Sequence, residues 1–154
     1  MAHRRDIQLA LIGCRMDKLT PRRRSDNMRQ IRSKDTSPEL AVRRLIFAMG
    51  FRYRLHSKDL PGKPDLVFRG KRKVIFVHGC FWHCHQACRE GRIPATRQDY
   101  WRDKLAKNTA RDSEHQRKLV GMGWSCLIVW ECELRDMQKL ASIISAYLST
   151  SSAR

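Results

Sequence analysis

The chain concentrates its metal-binding side chains in one short segment. It holds six cysteines and six histidines, and half of these twelve residues lie within positions 78–88. Thiols and imidazoles interleave there, which favours a bound metal ion over disulfide pairing, and we expect the cysteines to be reduced. Segment 78–94 shows neither a helical nor a strand period. The sequence therefore predicts an irregular loop that a metal ion holds together.

A zinc ion suits this loop, because structural zinc takes four thiolate and imidazole ligands in a tetrahedron. The set we favour has three thiols and one imidazole. Its last member, Cys132, follows a distant apolar run, so the ion would clamp two parts of the chain. Four protein ligands leave no open position, which predicts a structural ion. Cys84 is the main rival thiol, and Asp112 is a less favoured oxygen ligand. The predicted ligands are Cys80, His85, Cys88 and Cys132.

Hydrophobic periodicity outside the loop predicts helices and strands in the order α, β, β, β, α, β, α. This order implies a small mixed sheet flanked by helices on both sides, so the fold class is α/β. At 154 residues the chain can bury one substantial core, and we predict a single domain. Its parts are a flexible leader over 1–20, the domain over 21–148 and a tail over 149–154. The predicted elements are a basic helix within 25–33, a helix over about 38–49 with Ser37 as N-cap, strands over 51–56, 65–68 and 74–77, a helix from 96 or 97 to about 120, a strand over 126–130 and a helix over 137–148.

The chain is strongly basic. It has 32 Lys and Arg against 15 Asp and Glu, a net charge of +17. Basic residues recur along its length, for example at Arg22–Arg24, Lys71–Lys73 and Arg102. This balance favours a polyanionic partner such as nucleic acid over a merely soluble basic protein. No stretch is long enough to span a membrane.

A carboxylate opens one of the predicted strands. Asp65 follows the turn Leu60–Pro64 and precedes Val77 and His78 by a hairpin's length, so neighbouring strands could bring them together. Magnesium prefers oxygen ligands and keeps several waters, so a carboxylate, a backbone carbonyl and phosphate oxygens suffice to bind it. Asp65 is the candidate ligand, with Glu39 as a helical carboxylate upstream. The Pro-Asp pair alone is equally typical of a solvated turn.

The loop also holds side chains that zinc does not need. A neutral imidazole is well matched to moving a proton to or from water, so His78 and His83 are candidates for acid-base chemistry, although zinc ligation competes for the same rings. Phe81 and Trp82, with Trp101 further along, can wedge between base pairs, at least cost where a pair is mismatched. The alternative for these aromatic residues is packing in a core.

The segment Val74–His83, VIFVHGCFWH, resembles the very short patch repair endonucleases, which act at T:G mismatches. The resemblance covers about residues 20–133 in the same order. It implies a restriction-endonuclease-like fold and a nick in one strand, 5′ of the mismatched thymine. The other matching segments are Arg24–Arg32, Asp35 to Glu39, Leu60–Asp65, Pro94–Arg97, Lys107–Asp112 and Gly123–Cys132.

The resemblance also implies roles for individual residues. Asp65 would bind magnesium together with the backbone carbonyl of Val77, and Glu39 would hold a water of the magnesium shell. His83 would move the proton of the attacking water, with His78 assisting near the scissile phosphate. The segment before Glu39 would form a DNA-gripping arm. Cys80, His85, Cys88 and Cys132 match the family's zinc ligands, and Phe81, Trp82 and Trp101 match its intercalating aromatic residues.

Two departures from a well-known member of this family bear on these roles. Val77 stands where that member has threonine, so a side-chain hydroxyl is lost while the backbone carbonyl remains. The interval from His85 to Cys88 is one residue longer, which leaves the choice between Cys84 and Cys88 open.

The predicted function is a magnesium-dependent, strand-nicking DNA mismatch endonuclease with a structural zinc. Its predicted partner is double-stranded DNA with a T:G mismatch, and other mismatch-repair proteins are further candidates. We predict a monomer in the bacterial cytoplasm, associated with the nucleoid. The alternative is a zinc-stabilised DNA-binding module without catalysis, which would share the charge and the Cys/His cluster but would not need Asp65 and His83.

Overall fold

The computed structural model describes residues 34–150, and these form helices and strands in the predicted order. The predicted leader, the basic helix within 25–33 and residues 151–154 of the predicted tail lie outside the described residues. Short 3-10 turns occur at Arg69–Lys71, Arg89–Gly91 and Glu131–Arg135. The elements are α1 (Ser37–Ala48), β1 (Arg54–Leu55), β2 (Leu66–Phe68), β3 (Lys73–His78), α2 (Gln98–Gly121), β4 (Ser125–Trp130) and α3 (Met137–Ser149).

The strands form one mixed sheet in the order β1-β2-β3-β4. β1 pairs with β2, and β2 with β3, in antiparallel fashion, whereas β3 and β4 are parallel and joined through α2. A parallel pair needs a long crossover connection, and the loop over residues 79–97 together with α2 supplies it. The predicted α/β class with a mixed sheet is confirmed. The restriction-endonuclease-like classification stays a prediction.

Helices cover the two faces of this sheet. On one face, Val42 and Ile46 of α1 and Ile144 of α3 pack in one buried cluster with Leu66 and Ile75. On the other face, Leu119 of α2 packs with Val67, Val74, Phe76 and Leu60. Successive residues of β2 and β3 thus alternate between two cores, as the strand period requires. Because both faces of β3 are covered, its sequence reads as a continuous apolar run.

The boundaries of two elements differ from the predicted ones. The N-cap of α1 is Thr36 rather than Ser37, because its hydroxyl oxygen accepts the Glu39 N–H at 3.4 Å and donates to Glu39 Oε1 at 3.2 Å. A Ser or Thr side chain at the N-cap reaches the backbone N–H three residues later, and Thr36 makes this bond with Glu39. The predicted strand 51–56 is reduced to Arg54–Leu55, since His56 adopts a positive φ of 46° that ends the extended backbone.

α2 is 24 residues long and mostly polar on its outer side. Neither α2 nor any other helix in residues 34–150 has the length and apolar character needed to cross a bilayer.

Candidate active site and the adjoining cysteine cluster

The first group of functional side chains lies where β3 ends. β2 and β3 are antiparallel, with Leu66 opposite Ile75, so Asp65, just before β2, lies beside the last residues of β3. The Val77 N–H donates to Asp65 Oδ2 at 2.7 Å. Because the N–H and C=O of a strand residue point to the same side, the Val77 carbonyl also points toward Asp65. The expected juxtaposition of Asp65 with Val77 and His78 is therefore present.

The carboxylate of Asp65 is partly buried, so it is partly shielded from water. Burial raises the pKa of Asp65 to about 6, the Val77 N–H bond opposes this shift, and the nearby charge of Glu39 adds to it. At neutral pH the carboxylate is mostly ionised, but its environment disfavours the negative charge. A cation placed there would relieve that cost.

Two histidine rings stack beside this carboxylate. His78, the last residue of β3, is buried, and its ring lies 3.7 Å from that of His83, centroid to centroid, at 12°. Burial, together with the neighbouring His83 charge, lowers the pKa of His78 to about 4, so His78 is neutral at physiological pH. The two rings are therefore in contact, but His78 is buried and His83 is only partly buried.

Asp112 of α2 is a partner that the sequence did not predict for this site. Its Oδ2 pairs with Nδ1 of His83. Partial burial acts to raise the pKa of Asp112, but the hydrogen bond and charge of His83 outweigh this and hold the pKa below its ordinary value. Among the described residues, the side chains of His78, His83 and Asp112 lie close enough to form a compact polar group. With Nδ1 engaged by a carboxylate, Nε2 is the ring atom of His83 that is left for a water.

Glu39 approaches the site from α1. It is buried, 4% exposed, and its charge acts on Asp65. Its Oε2 accepts from the Asp35 N–H at 3.0 Å and from Arg43 Nη2 at 2.9 Å. Glu39 therefore accepts hydrogen bonds at the N-terminus of α1, and its charge also acts on Asp65. Arg43 is a second residue near the site that the sequence did not predict.

The second group of functional side chains is the cysteine cluster. The ligand atoms of Cys80, His85, Cys88 and Cys132 all lie within 4.8 Å of one another. His85 Nδ1 is 3.6 Å from Cys80 Sγ and 3.3 Å from Cys132 Sγ. The Cys132 thiol comes from the turn after β4, so the cluster joins two distant segments. Cys84, the rival thiol, is not in this group, nor is Asp112, which pairs with His83 instead.

The cluster is built around a fixed imidazole. The His85 ring stacks on Trp130 of β4 at 4.2 Å and 5°. Burial raises the pKa of Cys80 to about 12, so without a cation this thiol stays protonated. Zinc binds the thiolate form, so the group gains its full set of donors only when an ion displaces the thiol proton.

The aromatic residues form one patch next to the histidines. The ring centroid of Phe81 lies 5.1 Å from the ring centroid of Trp82 and 5.1 Å from that of Trp101, in edge-to-face contacts. Phe81 and Trp82 are half-buried, whereas Trp101 is 8% exposed and lies beneath them. Lys104 Nζ lies 5.4 Å from the centroid of the Trp82 ring. In this conformation Trp101 supports the two residues that reach the surface.

Comparison with known proteins decides the family. A family model described as "DNA mismatch endonuclease Vsr" matches residues 16–89. The chain is 50% identical over 135 residues to "Type II nicking enzyme V.XorIIP" of Xanthomonas oryzae pv. oryzae. The matched region covers 88% of this chain and 98% of that protein. The chain belongs to the Vsr family. It is also 45% identical to "DNA mismatch endonuclease Vsr" of Escherichia coli, over 76% of this chain and 74% of the relative.

Membership in the Vsr family confirms the predicted family resemblance and the predicted enzyme class, an endonuclease. A further relative, "Type II nicking enzyme V.NmeAIP" of Neisseria meningitidis, is 43% identical over 78% of this chain and 85% of its own length. The two residues missed by sequence reasoning differ in how they could have been found. Asp112 lies in a segment that resembles the family, whereas Arg43 is one of many basic residues and carries no distinguishing pattern.

Proposed function

We propose that this chain is a magnesium-dependent endonuclease that nicks one strand of DNA 5′ of the mismatched thymine at T:G mismatches. The observation that carries the proposal is the meeting of Asp65, His83 and Asp112 at the end of β3, next to a surface aromatic patch. A DNA-binding module has no need of a carboxylate whose pKa is raised to about 6 beside an oriented histidine.

The donor atoms next to Asp65 fit magnesium. Magnesium takes oxygen ligands, keeps several waters and is often held by only one or two carboxylates. Asp65 supplies the carboxylate, and the Val77 carbonyl points the same way. The charge of Glu39 acts on Asp65, and we assign to Glu39 the role of accepting a hydrogen bond from a bound water. When bound, the ion would stabilise negative charge on the phosphate as the bond breaks.

His83 is the residue that we propose moves the proton. A water attacking the phosphorus must lose a proton while the P–O bond to the leaving oxygen breaks and that oxygen takes one up. The Asp112 carboxylate accepts a hydrogen bond from the Nδ1–H of His83, which leaves Nε2 as a base for the attacking water. His78 is neutral and stacked on this ring, so it can hydrogen-bond the phosphate without adding a charge that would oppose protonation of His83.

We also propose that Cys80, His85, Cys88 and Cys132 hold a structural zinc. Three thiols and one imidazole with converging ligand atoms fit the tetrahedral donor set that zinc prefers. Four protein donors leave no position for a water, so this ion would hold the loop and take no part in hydrolysis.

The aromatic patch and the basic charge support DNA as the substrate. Phe81 and Trp82 are the surface members of the patch, and insertion between base pairs costs least at a mismatch. The net charge of +17 favours a duplex over a neutral ligand. Insertion by Trp101 would require that buried ring to leave its place beneath the other two. A monomer acting with other mismatch-repair proteins stays a prediction.

The test is a nicking assay on a short duplex with a central T:G pair, with the two strands labelled in turn and a T:A duplex as control. We expect one cut, in the thymine strand and 5′ of the mismatch, only when magnesium is added. Binding without a cut would favour the DNA-binding module. Equal cutting of the T:A duplex would retain the nuclease and remove the mismatch role.

A further inference from the structure

Arg43 is a buried cation that neither the family resemblance nor the proposed function uses. It lies one turn after Glu39 on α1 and is 7% exposed. Nη1 donates to Asp35 Oδ1 at 2.5 Å, and Nη2 lies 2.9 Å from Glu39 Oε2 and 2.9 Å from His56 Nε2. Because a guanidinium only donates, His56 Nε2 must accept, so the proton of this ring is on Nδ1.

The guanidinium occupies the place where a cation could otherwise bind. Asp35, Glu39 and His56 are spaced closely enough to hold a metal ion. The Arg43 Nη atoms form hydrogen bonds to all three side chains, so these acceptors already have a cationic partner. A metal bound to this part of the protein is therefore expected at Asp65 and not within the Asp35 group.

The hydrogen bonds of Glu39 leave one acceptor position free. A carboxylate has about four lone-pair sites. Oε2 accepts from the Asp35 N–H and from Arg43, and Oε1 accepts from the Thr36 hydroxyl at 3.2 Å. One site remains, on Oε1, which is sufficient for a single water. Arg43 thus restricts both the rotamer of Glu39 and the number of partners that Glu39 can take.

Arg43 also acts on the charge of the site. Glu39 and Asp65 are two carboxylates near each other in a mostly buried place, where like charges oppose ionisation. The Arg43 charge favours the ionised form of Asp65. Stability is a poor explanation for this arrangement, because Arg43 Nε is buried with no hydrogen-bond partner among residues 34–150.

We propose that Arg43 is a positioning residue of the magnesium site, which holds Glu39 with one oxygen position open for a metal-bound water. This rests on the proposed function only in assigning magnesium to Asp65. Arg43 touches neither the ion nor the DNA in this role. Its positioning effect passes through Glu39, while its charge acts on Asp65 from a distance.

The test measures metal binding without DNA. Mn²⁺, which replaces Mg²⁺ at oxygen sites, is titrated into the zinc-loaded protein, and the free ion is followed by electron paramagnetic resonance. Arg43→Met is compared with Arg44→Met, which removes the same charge from the exposed neighbour. We expect Arg43→Met to weaken Mn²⁺ binding about tenfold or more, as loss of an outer-shell partner does, and Arg44→Met to match the wild type.

A double-mutant cycle tests the route through Glu39. In a Glu39→Gln background, Arg43→Met is expected to add little further loss of Mn²⁺ affinity. Additive losses, or an unchanged affinity in folded Arg43→Met, would overturn the proposal. If Arg43→Met does not fold by circular dichroism, Arg43→Lys replaces it, since lysine keeps the charge but cannot bridge Asp35 and Glu39 with the same fork. Wild-type protein that binds Mn²⁺ but does not nick would overturn the proposed function alone. Wild-type protein that binds no Mn²⁺ would overturn both the magnesium site at Asp65 and the role of Arg43.

Discussion

The oxygen site at Asp65 and the cysteine cluster adjoin each other where Val77 precedes Cys80 in the chain, but they are held in different ways. Asp65 is fixed by a strand-to-strand hydrogen bond to Val77, and its neighbour Glu39 is fixed by α1 and Arg43. The cysteine cluster has little regular structure around it, since residues 79–88 form turns and Cys132 lies in a 3-10 turn. The first site is therefore organised by the fold, whereas the second must itself organise the loop.

This difference separates stability from activity. An ion in the cysteine cluster would join the loop to the end of β4, so its loss should unfold that region. An ion at Asp65 would add to a carboxylate that is already in place, so its loss should affect catalysis first. Four measurements test this division, beginning with the largest expected effect.

Replacing a ligand of the cluster should destabilise the protein most. Cys132→Ser is expected to lose the zinc and to lower the melting temperature by about 10 °C or more, because each kcal/mol moves it by roughly 2–4 °C in a domain of this size. Zinc content by atomic emission and melting by circular dichroism measure the two effects. Cys84→Ser is the matched control, because this thiol lies in the same loop but outside the cluster.

Cys84→Ser should keep its zinc and change stability by no more than about 0.5 kcal/mol, as substitutions away from special features do. Equal losses in the two variants would mean that the cluster is not a distinct site. A stable, zinc-free Cys132→Ser would mean that the fold holds the loop without an ion.

Asp65→Asn should show the opposite pattern. The amide oxygen still accepts the Val77 N–H, so the fold is expected to be kept, while loss of the charged ligand lowers nicking by at least about 100-fold, the upper range for metal-site partners. Single-turnover nicking and thermal melting of the same sample measure both. Nicking at the wild-type rate would remove Asp65 from the site.

Asp112→Asn should have a smaller effect on activity. The amide no longer favours the His83 tautomer with its proton on Nδ1, so nicking is expected to fall about tenfold, part of the 100-fold or more that a positioned acid-base group contributes. The loss should be in the rate at saturating DNA and not in DNA affinity. A change in affinity alone would assign Asp112 to binding.

Much of the fold could be predicted because each element carries its own periodicity. The apolar run of β3 indicated its place, and Asp65 could be placed beside Val77 from the length of the hairpin. The strand over 51–56 could not be bounded in this way, because its end depends on the positive φ of His56. The His56 side chain contacts Arg43, thirteen positions earlier, and no local pattern in the sequence reveals such a contact.

The site was only partly predictable for a similar reason. Residue type and spacing indicated His83 and the four members of the cysteine cluster, because thiols and imidazoles are rare and chemically distinctive. Asp112 and Arg43 carry common charged side chains on helix faces. Their roles appear only when the fold brings α2 against the loop and α1 against the strand ends.

The last measurement is the dependence of stability on pH, and it bears most directly on the contrast between the sites. In the folded protein the pKa of Asp65 is raised from 3.8 to about 6, so the folded state holds this proton more tightly than the unfolded state does. Stability therefore falls as pH rises from about 4 to 6, and the full cost, roughly 2 to 3 kcal/mol, persists above pH 6.

Asp65→Asn removes this titration, so its free energy of unfolding should exceed that of the wild type increasingly from pH 4 to pH 7 in the absence of magnesium. Urea denaturation at a series of pH values measures the difference, and any loss of zinc at acid pH is shared by both proteins and largely cancels. Adding magnesium at pH 7.5 should stabilise the wild type and leave Asp65→Asn unchanged. A pH-independent difference would mean that Asp65 is ionised at no cost. The oxygen site would then be fully formed without its ion, and the contrast with the cysteine cluster would be complete.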